Sequence, residues 1–362
     1  MQINQGERPV TVEKLGPASV GKPVQPQAVA ANAAAGYPWL VADIGGSNAR
    51  FGWVSGPGQT VAHVRTLPVA RHESLSAAAQ SYLKDLAELG ITAQPHRASL
   101  ALATALEGDR VELTNSHWTF SRSQLASDLG LDELVLLNDF EALALSLPGL
   151  RADQVTPITG PSLAAPKGTL AVIGPGTGLG VGGVVKTGLG WVALPGEGGH
   201  VTLSPANDFE GELLAVARRE LPHVSAERFL SGIGLPTLHA AVATVLGQSP
   251  AQRLTAEQIL ERAQSGDEVC ARTLDQFCAF LGGFAGNVAL TLGARGGVYI
   301  GGGIVPRLGE RFFRSEFRAR FEAKGRFASY LSAVPCVLIT DTLVALGGAA
   351  FALEQGTLQR QS

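Results

Sequence analysis

Residues 41–50 read Val-Ala-Asp-Ile-Gly-Gly-Ser-Asn-Ala-Arg. They describe a short apolar strand that ends on a carboxylate, turns on two glycines and re-enters an extended run through Val54. Gly45 and Gly46 have no Cβ, so the backbone can turn tightly and bring N–H groups up to an anion. Ser47 and Asn48 add side-chain donors. Asp43 stands beside the same spot, where a carboxylate can face a phosphate-bound cation directly or through water. No G-x-x-x-x-G-K-[ST] occurs, so this is not a Walker loop. A plain hairpin with Gly-Gly at its tip accounts for the same residues. A second glycine turn, Gly174-Pro-Gly-Thr-Gly-Leu-Gly180, offers free backbone at Gly176 and Gly178 and a hydroxyl at Thr177. It is weak evidence alone. Paired with the first turn, it could hold a nucleotide's phosphates from the opposite side.

Other side chains with chemical potential lie elsewhere in the chain. Asn138-Asp139 follows an apolar run, and sites in open α/β sheets lie at the carboxyl ends of strands. Asp139 is there a candidate general base for a hydroxyl that attacks a phosphoryl group. A helix N-cap explains the pair equally well. Leu194-Pro-Gly-Glu-Gly-Gly-His200 sets Glu197 and His200 three positions apart among glycines. A carboxylate and a neutral imidazole both suit sugar hydroxyls. Glu-x-x-His also supplies metal-ligand types, but no second His or Cys stands near in sequence. Glu227, with Ser225 nearby, reads as a helix-start carboxylate. Gly301, Gly302 and Gly303 follow a strand and make a flat surface for an adenine or ribose, or a closely packed strand-to-helix turn.

These groups need elements to hold them. Hydrophobic patterning predicts strands over 40–43, 51–54, 61–67 and 98–103, with 110–114 as a hairpin partner, and a helix over 75–89. Residues 134–137 form a wholly apolar strand of the kind buried on both faces, leading into a helix over 140–147. The strand–glycine turn–strand logic repeats at 170–173, 174–180 and 181–186, which suggests two related half-folds facing one another. Helices are predicted over 210–219, 226–231, 255–263 and 267–292. Strands follow at 297–300 and 337–339, and a last helix at 346–353. Arginines at 307–326 alternate with Phe312, Phe313, Phe317 and Phe321, which reads as an amphipathic helix with a solvated face and not a nucleic-acid patch. The mixture is α/β, and the boundary between halves falls near 149–168.

Bulk properties set the outer limits. A chain of 362 residues allows two domains or one large one, and 45% hydrophobic against 16% charged residues leaves ample material for a core. The net charge of −3 argues against a general binder of nucleic acid or membrane surfaces. Cys270, Cys278 and Cys336 form no C-x-x-C pair, which fits a reducing cytosol and argues against structural zinc. Residues 1–36 lack a continuous apolar stretch and read as a flexible extension and not a signal peptide. No uninterrupted apolar window spans a membrane, so a cytoplasmic protein is expected.

Taken together, LVADIGGSNARFGWV, LNDFEAL, GPGTGLGVG, LPGEGGHV, HVSAERFLSG and GGVYIGGGIVPR resemble the bacterial, ATP-dependent glucokinases of proteobacterial type. The resemblance runs from about residue 40 to about residue 350. It implies the actin-like fold of the hexokinase and sugar-kinase superfamily: two α/β lobes with ribonuclease-H-like cores and the active site in the cleft between them. Residues 37–150 would form the small lobe. Residues 151–362 would form the large lobe, its C-terminal helix packing back on the small one.

The resemblance also implies roles. Ala42, Asp43, Ile44, Gly45, Gly46 and Ser47 match a first phosphate loop, Gly176, Thr177 and Gly178 a second, and Gly301, Gly302 and Gly303 an adenosine site. Asp139 matches the catalytic base, and Asn138, Asp139, Glu197, His200 and Glu227 the glucose ligands. ATP and Mg2+ are the implied cofactors, with Asp43 at the metal, glucose 6-phosphate the product feeding glycolysis, and a homodimer the expected assembly. Ser47 departs from the usual Thr but keeps the hydroxyl, and Thr104-Ala105 replaces a Pro-containing step. The cysteines of the zinc-bearing repressor–kinase relatives are absent. Kinases of fructose, mannose or N-acetyl amino sugars are neighbouring readings, as is polyphosphate for ATP. A sugar-sensing regulator is a third, disfavoured because residues 1–36 are too short and too rich in Pro, Gly and Ala for a helix-turn-helix.

Overall fold

The computed structural model describes residues 36–361 except 105, 163–165, 189 and 249–252. The expected N-terminal extension therefore lies outside the described residues, apart from Gly36. Strand β1 (Trp39–Ile44) pairs antiparallel with β2 (Asn48–Val54), which pairs antiparallel with β3 (Ala62–Pro68). On its other side β1 pairs parallel with β4 (Arg97–Leu102). The segment predicted as a hairpin partner of β4 instead forms β5 (Arg110–Glu112), which pairs with β6 (Thr119–Ser121) in a separate ribbon. Strand β7 (Glu133–Asn138) completes the sheet, parallel to β4. Because β7 is the sheet's edge, Leu134 and Val135 are only half-buried, not covered on both faces as the apolar run predicts.

The second sheet repeats this plan. Here β8 is Val155–Pro157, β9 Leu170–Pro175, β10 Leu179–Thr187, β11 Gly190–Leu194, β12 Gly297–Ile300 and β13 Cys336–Ile339. The orders are β3-β2-β1-β4-β7 and β11-β10-β9-β12-β13-β8. Senses match strand for strand: two antiparallel pairings, then two parallel ones, with β8 added antiparallel at the edge. The internal echo in sequence is thus a duplicated α/β fold, the architecture of actin-like ATPases.

Helices complete each core. The helix Leu75–Glu88 starts at Ser74, whose hydroxyl accepts the Ala77 N–H at 3.1 Å, and buries Tyr82 against Phe51. The long helix Glu268–Leu292 is capped by Asp267 and stopped by Gly293 in the left-handed region, at φ 64°. The segment 226–231 is only one 3-10 turn, Ala226–Arg228, and a helix at Leu235–Val245 follows it.

The Arg- and Phe-rich stretch departs most from expectation. It breaks into short helices, Glu310–Phe313 and Phe317–Glu322. Phe312, Phe317 and Phe321 are buried, as the apolar face of an amphipathic element requires. Gly282 and Gly286 of the long helix are the reason. A Cβ at Gly286 would stand 2.5 Å from the Phe321 carbonyl, and one at Gly282 would overlap that of Phe317, so the second helix can lie directly on the first.

Two helices join the lobes. Asp139–Ser146 follows β7 and packs on β9, β10 and β11 of the other sheet. The C-terminal helix Val344–Gln361 returns from the large lobe and buries Leu346, Ala349 and Leu353 against Trp39, Val41 and Val54. A Cβ at Gly348 would overlap the Ala142 carbonyl, so these two helices touch at their backbones. Among the described residues no helix is long and apolar enough to cross a membrane.

Candidate active site

Parallel pairing aligns the carboxyl ends of β1, β4 and β7: Ile44 lies opposite Leu102, and Leu102 opposite Asn138. Asp43, Asn138 and Asp139 therefore come to one end of the sheet although they are far apart in sequence. Asn138 caps the following helix, its Oδ1 accepting the Phe140 N–H at 2.9 Å, while its Nδ2 donates to the Thr104 carbonyl at 3.4 Å. Asp139 is the first helical residue and shares the same Phe140 N–H, also at 2.9 Å. The cap reading is thus right for Asn138, and leaves one carboxylate oxygen of Asp139 free of that bond.

Burial pushes the Asp139 carboxyl up to about 6, and the negative charges of Asp43 and Glu197 add to the rise, against the lowering effect of the Phe140 N–H. Burial also raises Asp43, whose carboxylate is paired with Arg50 at 2.9 Å across the β1–β2 ladder.

The two glycine turns are built alike. Gly45 N–H donates to the Asn48 carbonyl at 2.9 Å, and Gly176 N–H to the Gly178 carbonyl at 2.9 Å. These two donors close the turns and do not face outward. The amides of Gly46, Ser47, Thr177 and Gly178 make no bond among the described residues. Neighbours press on both turns. A Cβ on Gly46 would stand 2.6 Å from the Asn115 carbonyl, and Phe140 fills the space that side chains at Gly174 and Gly180 would need. That ring links the start of the Asp139 helix to the second turn.

The remaining polar residues collect around the second turn. Leu179 N–H donates to Glu227 Oε2 at 2.9 Å, and a Cβ on Gly178 would stand 2.5 Å from that oxygen. Gly198 and Gly199 seat the 195–203 loop on β10, against Val181 and the Leu179 carbonyl. Leu203 N–H donates to the Val224 carbonyl at 3.0 Å, and Ala226 N–H to that of Val201 at 2.9 Å. Glu197, His200 and Glu227 are thereby brought to one place. Glu197 and His200 are exposed and 3.9 Å apart, beyond hydrogen-bond reach.

Gly301, Gly302 and Gly303 follow β12. Gly302 adopts φ 76° and packs on the Pro175 carbonyl, so only glycine fits there. Next to it opens a cavity of 780 Å³, lined by Gly176, Thr177 and Gly303 with Ile233, Leu254 and Ile304. It suits a flat heteroaromatic ring with phosphates directed at the second turn. Ile233 and Leu254 lie outside every motif of the sequence, and Ile304 stands in the GGVYIGGGIVPR motif without a role of its own. They come from separate elements with no common motif, and the helix Leu235–Val245 behind them carried no recognised start.

No group of three or more His, Cys, Asp or Glu able to hold a metal ion occurs among the described residues. A magnesium ion fits this cleft in the way that ion favours, with most ligands from phosphate and water and one or two carboxylates behind them. Asp43 and Asp139 are the carboxylates available. The three cysteines are buried, and their thiols are pushed up to about 12 by burial, which leaves them inert.

Two matching glycine turns, a cavity beside the second of them and an interlobe carboxylate with a raised pKa fit a sugar kinase of the actin-like ATPase fold. A family model described as Glucokinase matches residues 40–356. The glucokinase of Aromatoleum aromaticum is 51% identical over 319 residues, covering 88% of this chain and 95% of that protein. That of Neisseria meningitidis serogroup B is 47% identical over 326 residues, covering 89% and 97%. The crystal structure of a glucokinase from an Antarctic psychrotroph superposes with a TM-score of 0.81 at 39% identity, covering 88% and 98%. The Balamuthia mandrillaris glucokinase, solved with glucose, shares the fold at TM-score 0.69 and 22% identity, covering 90% and 96%. The chain belongs to the glucokinase family and is a phosphotransferase.

Proposed function

We propose that the chain transfers the γ-phosphoryl group of ATP to the 6-hydroxyl of glucose. The observation that carries this reading is the position of Asp139. It starts the interlobe helix beside the second glycine turn, with a carboxyl at about 6. A base with that pKa is ionised at neutral pH and still takes a proton readily.

In this mechanism Asn138, Asp139, Glu197, His200 and Glu227 bind the sugar hydroxyls. A sugar lacking one hydroxyl leaves a polar group unpaired once the cleft has closed on it, so discrimination is strong. Asp139 orients the 6-hydroxyl and accepts its proton late, since the phosphoryl transition state is loose. The amides of Gly46, Ser47, Thr177 and Gly178 hold the phosphates and stabilise charge that develops on the transferred group. Leu179 N–H holds Glu227 through its Oε2, so sugar ligand and phosphate turn are fixed relative to each other. Magnesium carried with the nucleotide would neutralise charge at the phosphates, and Asp43 would be the carboxylate that holds it. Lobe closure excludes water, a smaller competing nucleophile. A homodimer is the assembly expected for it; Phe312, Phe317 and Phe321 lie in the core and supply none of its interface.

A coupled assay over glucose, mannose, fructose and N-acetylglucosamine, with ATP and with polyphosphate, tests the reading. Glucose with ATP should give the highest kcat/KM. A higher value for any other sugar or donor, or no sugar-dependent ADP release, overturns it.

A further inference from the structure

A cavity of 610 Å³ lies between the lobes at the end of the small-lobe sheet away from Asp139. Trp39, the first residue of β1, pairs with Val54. The turn leading to β3 is therefore at the amino end of β1, whereas Asp43 and Asn138 are at carboxyl ends. That turn and the start of β3 supply Val61 and Val64 to the cavity. The end of the Asp139 helix supplies Leu145 and Ser146, and the C-terminal helix supplies Phe351 and Glu354. Both passages of the chain between the lobes, near 147–154 and 341–344, also line it. Its size is in the range of small-molecule sites, about 300–1,000 Å³.

Of the three charged groups that line it, Arg151 is ion-paired, Asp341 is hydrogen-bonded without a cation, and Glu354 makes neither contact among the described residues. Arg151 is held by Asp153 through two bonds of 3.1 Å. Asp341 accepts from Gln154 Nε2 at 2.7 Å and from the Leu343 N–H at 2.8 Å. Glu354 forms no ion pair among the described residues, and burial alone raises its carboxyl. A half-buried carboxylate with no cation, beside Val61, Val64 and Phe351, is a receptor for a cation attached to an apolar body.

The cavity is mechanically connected to the candidate base. The helix Asp139–Ser146 is eight residues long, about 12 Å at 1.5 Å per residue. One end carries Asp139 and the other forms the cavity wall. The C-terminal helix, which carries Glu354, touches the same helix at Gly348 and Ala142. A ligand that wedges these helices apart or draws them together moves Asp139 as part of one packed pair.

We propose that this hinge cavity is a second ligand site for a small organic ammonium with an apolar body, and that its occupation changes glucose affinity through the Asp139 helix. The coupling, though not the binding, rests on the reading of Asp139 as part of the glucose site. Phenethylamine, protonated at pH 7.5, is the probe, with 2-phenylethanol as its uncharged counterpart, titrated calorimetrically into the full chain. Saturable binding is expected, weaker by about tenfold or more for 2-phenylethanol and for the Glu354→Gln variant. Glucose affinity, read by intrinsic fluorescence, should shift at least about twofold with the probe in the wild type and not in Glu354→Gln.

The Asp139→Asn variant should bind the probe as the wild type does, so a failure of the catalytic assignment leaves the site standing. Absence of saturable binding, or equal binding to Glu354→Gln, overturns the site. Normal binding with unchanged glucose affinity overturns the coupling.

Discussion

Replacing Asp139 by Asn should make the protein nearly inactive and, at neutral pH, more stable. The carboxyl is pushed from an ordinary 3.8 up to about 6, chiefly by burial. At about 1.4 kcal/mol per pH unit, keeping the charged form there costs the folded state roughly 3 kcal/mol. The direction with pH follows. Below 3.8 the group is neutral in both folded and unfolded chains, and no cost arises. Between 3.8 and about 6 the folded chain holds a proton that the unfolded chain has lost, so stability falls as pH rises. Above about 6 the full cost is present.

Asparagine is neutral throughout, and its Oδ1 can still accept the Phe140 N–H. The variant should therefore gain up to roughly 3 kcal/mol at pH 7.5, a few degrees in Tm, and the gain should vanish toward pH 4. Urea denaturation of both proteins without ligands, at pH 4.5 and 7.5, measures it. Coupled turnover should fall by roughly two to four orders of magnitude. An advantage equal at both pH values, or a variant less stable at pH 7.5, would refute burial of a charged Asp139. Near-normal turnover would refute its role as base.

Further expectations concern the same cleft and the core behind it. With Asp139 as base, kcat/KM should rise with pH along a limb near 6, and Glu197→Gln should move that limb lower, since the Glu197 charge helps to raise it; a profile flat from pH 5 to 8 contradicts this. Gly178→Ala places a Cβ 2.5 Å from Glu227 Oε2. It should raise the KM for glucose by about tenfold or more with little change in Tm, and an unchanged KM would detach Glu227 from the sugar site. Arg320→Leu strands Glu210, whose 1% exposed side chain meets Arg320 at 2.5 Å and Gln276 at 2.9 Å. A loss of about 3–5 kcal/mol in urea denaturation is expected, and a loss below about 1 kcal/mol would show that the Gln276 bond and the Ala206 N–H, which donates to Glu210 Oε2 at 2.7 Å, suffice.

What could be read in the chain was what is local. Two glycines after a strand ending in a carboxylate describe a turn, and the sixfold set of motifs describes a family. A strand's period and a helix's cap arise from neighbours within about four residues, so β1, β9, β12 and the helix Glu268–Leu292 were legible with Asp139 at its strand end. The duplication was visible for the same reason, because each half repeats its own local pattern.

Tertiary structure alone settled which partner each group meets. No local signal says that β7 lies at an edge, that β5 pairs with β6 and not β4, or that Phe317 and Phe321 turn inward onto Gly282 and Gly286. Nor could spacing show that the Gly45 and Gly176 amides are used within their own turns. Ile233, Leu254 and Ile304 meet in one cavity, and Asp43 and Glu197 act on Asp139, only after two sheets have been joined through Asp139–Ser146 and the C-terminal helix. Burial and electric fields depend on every chain segment within reach. The raised pKa of Asp139, on which the proposed chemistry depends, therefore belongs to the assembled cleft and not to any stretch of sequence.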